Sequence, residues 1–97
     1  MRIIAKRTLK EYWVSHASCR KELEEWYAVA IKANWSTPKD VKGSFPKASV
    51  VGNSRIVFNI VGNRYRLVVK FAYKTGIGYV RFIGTHAEYD NIDVTKI

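Results

Sequence analysis

The sequence predicts an α+β domain in which an N-terminal strand and two to three helices pack on one face of an antiparallel sheet meander. Three observations carry this. Apolar residues recur at helical spacing through the first half of the chain, the period changes to two from Ser49 onward, and Gly62-Asn63 and Lys74-Thr75-Gly76 cut the second half into strands. Helices first and strands after is the order of a layered α+β fold. With 97 residues, 47% hydrophobic and 13% aromatic, the chain has room for one core. Residues 1–97 read as a single domain with no repeat or linker.

Met1 to Lys6 is a short apolar segment and a strand candidate. Leu9, Tyr12 and Trp13 share one helical face, with Thr8 as a possible cap. Leu23, Trp26, Tyr27 and Ala30 fall at i, i+3, i+4 and i+7, which predicts an amphipathic helix from about Cys19 to Ala33. Its opposite face, with Arg20, Lys21, Glu22, Glu24 and Glu25, reads as solvated. Thr37 is an N-cap, Pro38 occupies the first helical position and Asp40 the first turn of a short helix ending before Pro46. Three strands follow. Arg55 to Val61 turns Ile56, Phe58 and Ile60 to one side, and Gly62-Asn63 makes a two-residue turn. Arg64 to Tyr73 then aligns Tyr65, Leu67, Val69, Phe71 and Tyr73, and Gly78 to Thr85 places Val80 and Phe82 inward and Arg81 outward.

Seventeen Lys and Arg against 8 Asp and Glu give a formal charge of +9. From Val41 to Ala87 there is no carboxylate, while Lys42, Lys47, Arg55, Arg64, Arg66, Lys70, Lys74 and Arg81 all fall in that stretch. Folded surfaces usually mix both signs. The imbalance points to a polyanion, nucleic acid first and an anionic membrane surface second, beside the plainer reading of a basic face with no ligand. Cys19 is alone, which excludes an intramolecular disulfide and a multi-cysteine zinc site. Lys6, Arg7 and Lys10 interrupt the N-terminal apolar run, and a soluble, cytoplasmic protein is expected.

A turn at Gly62-Asn63 sets Val61 opposite Arg64, Asn59 opposite Arg66, Val57 opposite Val68 and Arg55 opposite Lys70. If the helices cover the Ile56 side, then Arg55, Asn59, Arg64, Arg66 and Lys70 share the uncovered side and Arg81 joins them. Just beyond the last strand, Thr85 and Glu88 have capping-box spacing, which puts His86 in the first turn of a short helix with Tyr89 behind it. These groups match what metal-free RNA cleavage requires. Arg66, with Asn59 across the hairpin, suits a phosphate, and His86 and Tyr89 are proton-transfer candidates. The plainer alternative is a capped turn with a packed histidine and tyrosine. His16 reads as a surface residue in a loop. The acid-free stretch argues against a carboxylate-bound Mg²⁺ nuclease, and there is no glycine-rich phosphate loop, Ser-His-Asp set or metal cluster in the sequence.

The blocks Phe58-Asn59-Ile60, Gly62-Asn63-Arg64-Tyr65-Arg66-Leu67 and Arg81-Phe82-Ile83-Gly84-Thr85-His86-Ala87-Glu88-Tyr89-Asp90 resemble the HigB-type toxins of bacterial type II toxin–antitoxin modules, within the RelE-like superfamily. Trp26-Tyr27, Trp35, Pro38 and Phe45 fit as well. The resemblance implies an mRNA interferase, an endoribonuclease that usually cuts messenger RNA on the translating ribosome without a metal cofactor. It also implies a helix-turn-helix, HigA-like antitoxin as partner. Carried over, the phosphate-contacting arginine is Arg66 and the assisting groups are Asn59, His86 and Tyr89, with His86 as general base; strand parity adds Arg55, Arg64, Lys70 and Arg81 as the RNA-binding cations. Asn59 stands where some members place a lysine. The alternative is a non-catalytic RNA- or DNA-binding module on the same face, which would bind in a salt-sensitive way and release intact nucleic acid.

Overall fold

The computed structural model describes residues 1–97. The chain runs β1 (Arg2–Ile4), α1 (Lys6–Ser15), a single 3₁₀ turn (Ala17–Cys19), α2 (Arg20–Lys32), α3 (Pro38–Ser44), β2 (Ser49–Val51), β3 (Arg55–Ile60), β4 (Tyr65–Ala72), β5 (Ile77–Thr85) and α4 (His86–Tyr89). One five-stranded sheet has the order β1-β5-β4-β3-β2. β2 to β5 are antiparallel, and β1 lies parallel to β5, so the meander closes into a mixed sheet. This is the expected α+β architecture. No helix is long and apolar enough to cross a membrane.

Helical spacing becomes burial on one sheet face. Leu9 and Trp13 of α1, and Leu23, Trp26 and Ala30 of α2, join Ile56, Phe58, Leu67, Val69 and Phe71 in the core. Its middle is aromatic, with Trp26 edge-on to Phe58 at 5.2 Å and Trp35 edge-on to Phe71 at 5.7 Å. Thr37 and Asp40 close a full capping box around Pro38. Thr8, by contrast, caps nothing: α1 starts at Lys6 behind Ala5 and has no side-chain cap. The far face of α2 is exposed as expected, and from it Glu22 Oε2 accepts the Val61 N–H at 2.7 Å.

The β3–β4 register is the one expected, with Asn59 opposite Arg66, Val57 opposite Val68 and Arg55 opposite Lys70. Gly62-Asn63 sits at the centre of the turn, which the Arg64 N–H closes on the Val61 carbonyl at 3.1 Å, but Val61 joins Gly62 in left-handed φ, 53° and 63°. A fourth strand in this half, β2, was not expected. Three residues at a sheet margin, all but Val51 exposed, carry too little alternation to be read. The larger correction is on β5. A bulge at Arg81 sets Val69 opposite Val80 but Val68 opposite Phe82. The extra residue inverts the parity, so Val80 stays inward while Phe82 turns to the face away from the helices.

That second face is not bare, as the parity argument assumed. Val57 and Val68 face each other on it at 3% and 0% exposure, outside the helix-side core. The C-terminal segment is held at both ends of the hairpin. At one end the His86 N–H donates to the Arg64 carbonyl at 2.9 Å. At the other, Asn53 donates to the Thr95 carbonyl at 2.9 Å, and Arg55 donates through Nε to the Ile97 main-chain oxygen at 2.9 Å and through Nη1 to the Asn53 carbonyl at 2.8 Å. Arg55 Nη2 also reaches the Ile97 oxygen. The intervening residues therefore run along this face, and half-buried Ile92, Val94 and Ile97 are the apolar groups available to cover the valines.

Arg55 is thus corrected from an RNA-facing cation to a buried one, 5% exposed, with its donors spent on main-chain oxygens. Arg55→Ala should lower unfolding free energy by about 1.5–3 kcal/mol, the range for hydrogen bonds to a charged group. The check is the urea midpoint, with faster amide exchange in residues 92–97.

Candidate active site

With Arg55 and the valines covered, the open part of the second face lies at the end where β3, β4 and β5 meet α4. Arg66 is half-buried at its centre, opposite Asn59 on β3 and opposite Gly84 on β5. Its guanidinium lies over the Tyr89 ring, 5.7 Å from the centroid, and Nη1 donates to Asn63 Oδ1 at 3.3 Å and to the Asn63 carbonyl at 3.5 Å. Tyr89 in turn leans on Phe82, with centroids 6.3 Å apart. The β5 bulge is what brings Phe82 into this stack. The ring and the Asn63 loop engage the arginine fork through its face and Nη1, and no hydrogen bond within the chain takes up Nε or Nη2.

Gly84 makes the close packing possible. A Cβ there would stand 2.6 Å from Phe82 Cζ and 3.1 Å from Glu88 Oε1. Bare backbone beside Arg66 is a requirement of this surface, since any side chain would displace the ring that supports Tyr89.

The Thr85–Glu88 corner folds as its spacing predicts. Thr85 Oγ1 accepts from the Glu88 N–H at 3.2 Å, and Glu88 Oε1 accepts from the Thr85 N–H at 2.8 Å. Those hydrogen bonds hold the exposed Glu88 carboxyl below its ordinary 4.5, with help from the nearby His16. The cap therefore persists as pH falls until it passes that lowered value. His86 opens the helix, and its Nδ1 lies 2.9 Å from Asp90 Oδ2, one turn along. A carboxylate on Nδ1 favours the tautomer with the proton there and leaves Nε2 as the acceptor nitrogen. Both side chains are about half exposed, 48% and 57%, so the pair is open to a ligand.

The structure thus brings Arg66, Asn59, His86 and Tyr89 to one end of the sheet. Arg64, in the loop, and Arg81, at the bulge, are exposed; Lys70 is half-buried next to the Arg55 lock, a few residues along β4. Two residues were missed. Asp90 was quoted in the block but given no role, although its i+4 spacing from His86 was the available signal. His16 is not a loose surface residue. Its ring stacks on Tyr12 at 3.9 Å with 6° between planes and stands edge-on to Tyr65 at 6.2 Å. Tyr65 reaches Ser18 at 2.7 Å and pairs with Thr85 on β5. Burial, and then the Glu88 charge, push the Tyr12 hydroxyl up to about 12. His16 and Tyr12 therefore form the wall behind the capped corner, and the Tyr12–His16 spacing of four was the signal for it.

Chemically, the arrangement offers a guanidinium stacked on a phenol ring and, on the same short helix as that phenol, an imidazole paired with a carboxylate. It is suited to holding a phosphate and moving protons beside it.

A family model described as HigB toxin, RelE-like toxic component of a toxin–antitoxin system, matches residues 19–92. The mRNA interferase HigB of Escherichia coli O6:H1 is 27% identical over 94 residues, covering 95% of this chain and 91% of its own length. The mRNA interferase toxin HigB of Escherichia coli K12 and the mRNA interferase HigB of Shigella flexneri are each 27% identical over 92 residues, covering 93% of this chain and 88% of theirs.

Proposed function

The chain belongs to the HigB family of RelE-like toxins of toxin–antitoxin systems, and we propose that it is an endoribonuclease that cleaves messenger RNA, as its relatives' names describe. The observation that carries the mechanism is the His86–Asp90 pair, 2.9 Å apart, at the same end of the sheet as the Arg66–Tyr89 stack. In this reading Arg66 holds the scissile phosphate with its free N–H groups, and Asn59 supplies a neutral donor from the adjacent strand. His86 Nε2 takes the proton of the 2′-hydroxyl, whose oxygen attacks phosphorus. The bond from phosphorus to the 5′-oxygen breaks, and Tyr89 Oη gives that oxygen a proton. The products are a 2′,3′-cyclic phosphate and a 5′-hydroxyl, and water restores the protons. No step calls for a metal cofactor. Arg64 and Arg81, exposed near the site, and Lys70 farther along β4 extend the positive surface for the RNA strand.

The proposed setting is the translating ribosome in the cytoplasm, and the proposed partner is a HigA-like helix-turn-helix antitoxin. The test is brief induction of the chain, with and without its antitoxin, followed by mapping of mRNA ends. Growth arrest with new 5′-hydroxyl ends inside translated codons is expected. Salt-sensitive binding that leaves RNA intact would assign the face to binding alone.

A further inference from the structure

The bulge at Arg81 turns Phe82, a side chain with no polar atom, onto the face that carries Arg66. Two contacts fix where its ring goes. A Cβ on Gly84 would stand 2.6 Å from Cζ and 3.2 Å from Cε1 of that ring, so the ring lies along β5 over the bare Gly84 backbone. This direction leads toward the active end, because Gly84 pairs with Arg66, while the covered Val57–Val68 pair lies behind. The ring also meets Tyr89, with 6.3 Å between centroids and 56° between planes.

Packing alone does not call for this ring. Val68, opposite Phe82, is fully buried, whereas Phe82 itself stays half-buried at a polar end of the sheet. An aliphatic side chain would cover Val68 and leave less apolar surface in water. Its neighbours say what the ring can take. Arg66 keeps Nε and Nη2 unused, and Arg64 and Arg81 are exposed beside it. A single strand of RNA needs cations for its phosphates and flat apolar surface for the bases between them. Tyr89 already carries the Arg66 guanidinium over its ring, 5.7 Å from the centroid; Phe82 has no such cation. We propose that Phe82 is a stacking platform for one base of the RNA, that of a nucleotide bordering the phosphate on Arg66. A phenyl ring offers no hydrogen bond, so it grips the flat face of a base without reading its edge, and the larger purine stacks best. The platform rests on the reading of this face as an RNA surface, and it requires no cut.

The test measures binding of the full chain to a short single-stranded RNA whose 2′-hydroxyls are all methylated, so that none can attack, with one abasic nucleotide moved along it. Phe82→Leu keeps an apolar side chain against Val68 and Tyr89, yet should weaken binding about tenfold, the scale of one lost base stack. Its salt dependence should match the parent's, because no phosphate contact is removed. Phe82→Tyr, which keeps a ring, should bind as the parent does. At one position the abasic nucleotide should cost the parent the same factor and cost Phe82→Leu nothing more, a match that a loss of packing does not reproduce. A purine at that position should bind the parent more tightly than a pyrimidine, and Phe82→Leu should bind the two alike. Equal affinity of the parent and Phe82→Leu, or abasic losses that add to the leucine loss at every position, would overturn the platform. Ring-dependent binding with no message cut would sink the nuclease reading and leave the platform standing; a parent chain that binds no RNA would remove both.

Discussion

Arg66→Ala should slow mRNA cleavage by about 10²–10³-fold, the usual loss when one preorganised donor to a developing anion is removed, and should leave the fold intact. The two halves of this expectation have separate physical grounds. Catalytically, Arg66 is the one guanidinium at this end of the sheet held in a defined orientation, between the Asn63 loop and the Tyr89 ring. Structurally it is only half-buried, and its hydrogen bonds to Asn63, at 3.3 and 3.5 Å, are long, so little stability depends on them. Arg66→Lys should recover only a small part of the rate, because an ammonium keeps the charge but loses the planar fork and the stacking on Tyr89. Single-turnover cleavage of a ribosome-bound message, beside a thermal melt, separates rate from stability. An alanine variant that cuts at the wild-type rate would remove Arg66 from the chemistry.

What the sequence made legible is what short-range periodicity controls. Alternation on β3 and β4 was enough to pair Asn59 with Arg66 and Arg55 with Lys70, because a one-residue slip would have sent Phe58 and Leu67 into solvent. The capped corner at Thr85 was legible for a similar reason, since both capping partners lie within one turn. What escaped depends on contacts distant in sequence or on a single inserted residue. The bulge at Arg81 leaves Val80 and Phe82 looking like a clean alternation while placing them on opposite faces. Nothing in the Arg55 neighbourhood announces an oxygen 42 positions away. Val61 in a left-handed conformation runs against the preference of a β-branched residue, and Glu22, which takes its N–H, lies 39 positions earlier. The end of the sheet that carries Asn59, Arg66, His86 and Tyr89 folds as the sequence predicts because it is built mostly from the short-range features. The extent of the basic face does not follow, since a tail that crosses it is invisible to strand parity.

His86→Ala should lower kcat by about 10²–10⁴-fold, the range for loss of a general acid or base, and its neighbour separates that role from mere packing. Asp90 contacts Nδ1 from one turn away and lies on the opposite side of the imidazole from the nitrogen assigned to the 2′-hydroxyl. Asp90→Asn keeps the shape and an acceptor oxygen but removes the charge that favours the imidazolium formed during proton transfer. The expected result is a fall in kcat of about tenfold to a hundredfold, within the reach of orienting groups, with KM unchanged because Arg66 and the basic residues still bind the strand. Asp90→Glu should restore part of the rate, whereas a packing role would be served as well by the isosteric amide. His16→Ala is the internal control. Its ring sits behind the corner on Tyr12, so its loss should perturb the Glu88 cap and stability before it touches kcat. If His16→Ala caused the large fall in kcat and His86→Ala did not, the base would be on the other side of the capped corner.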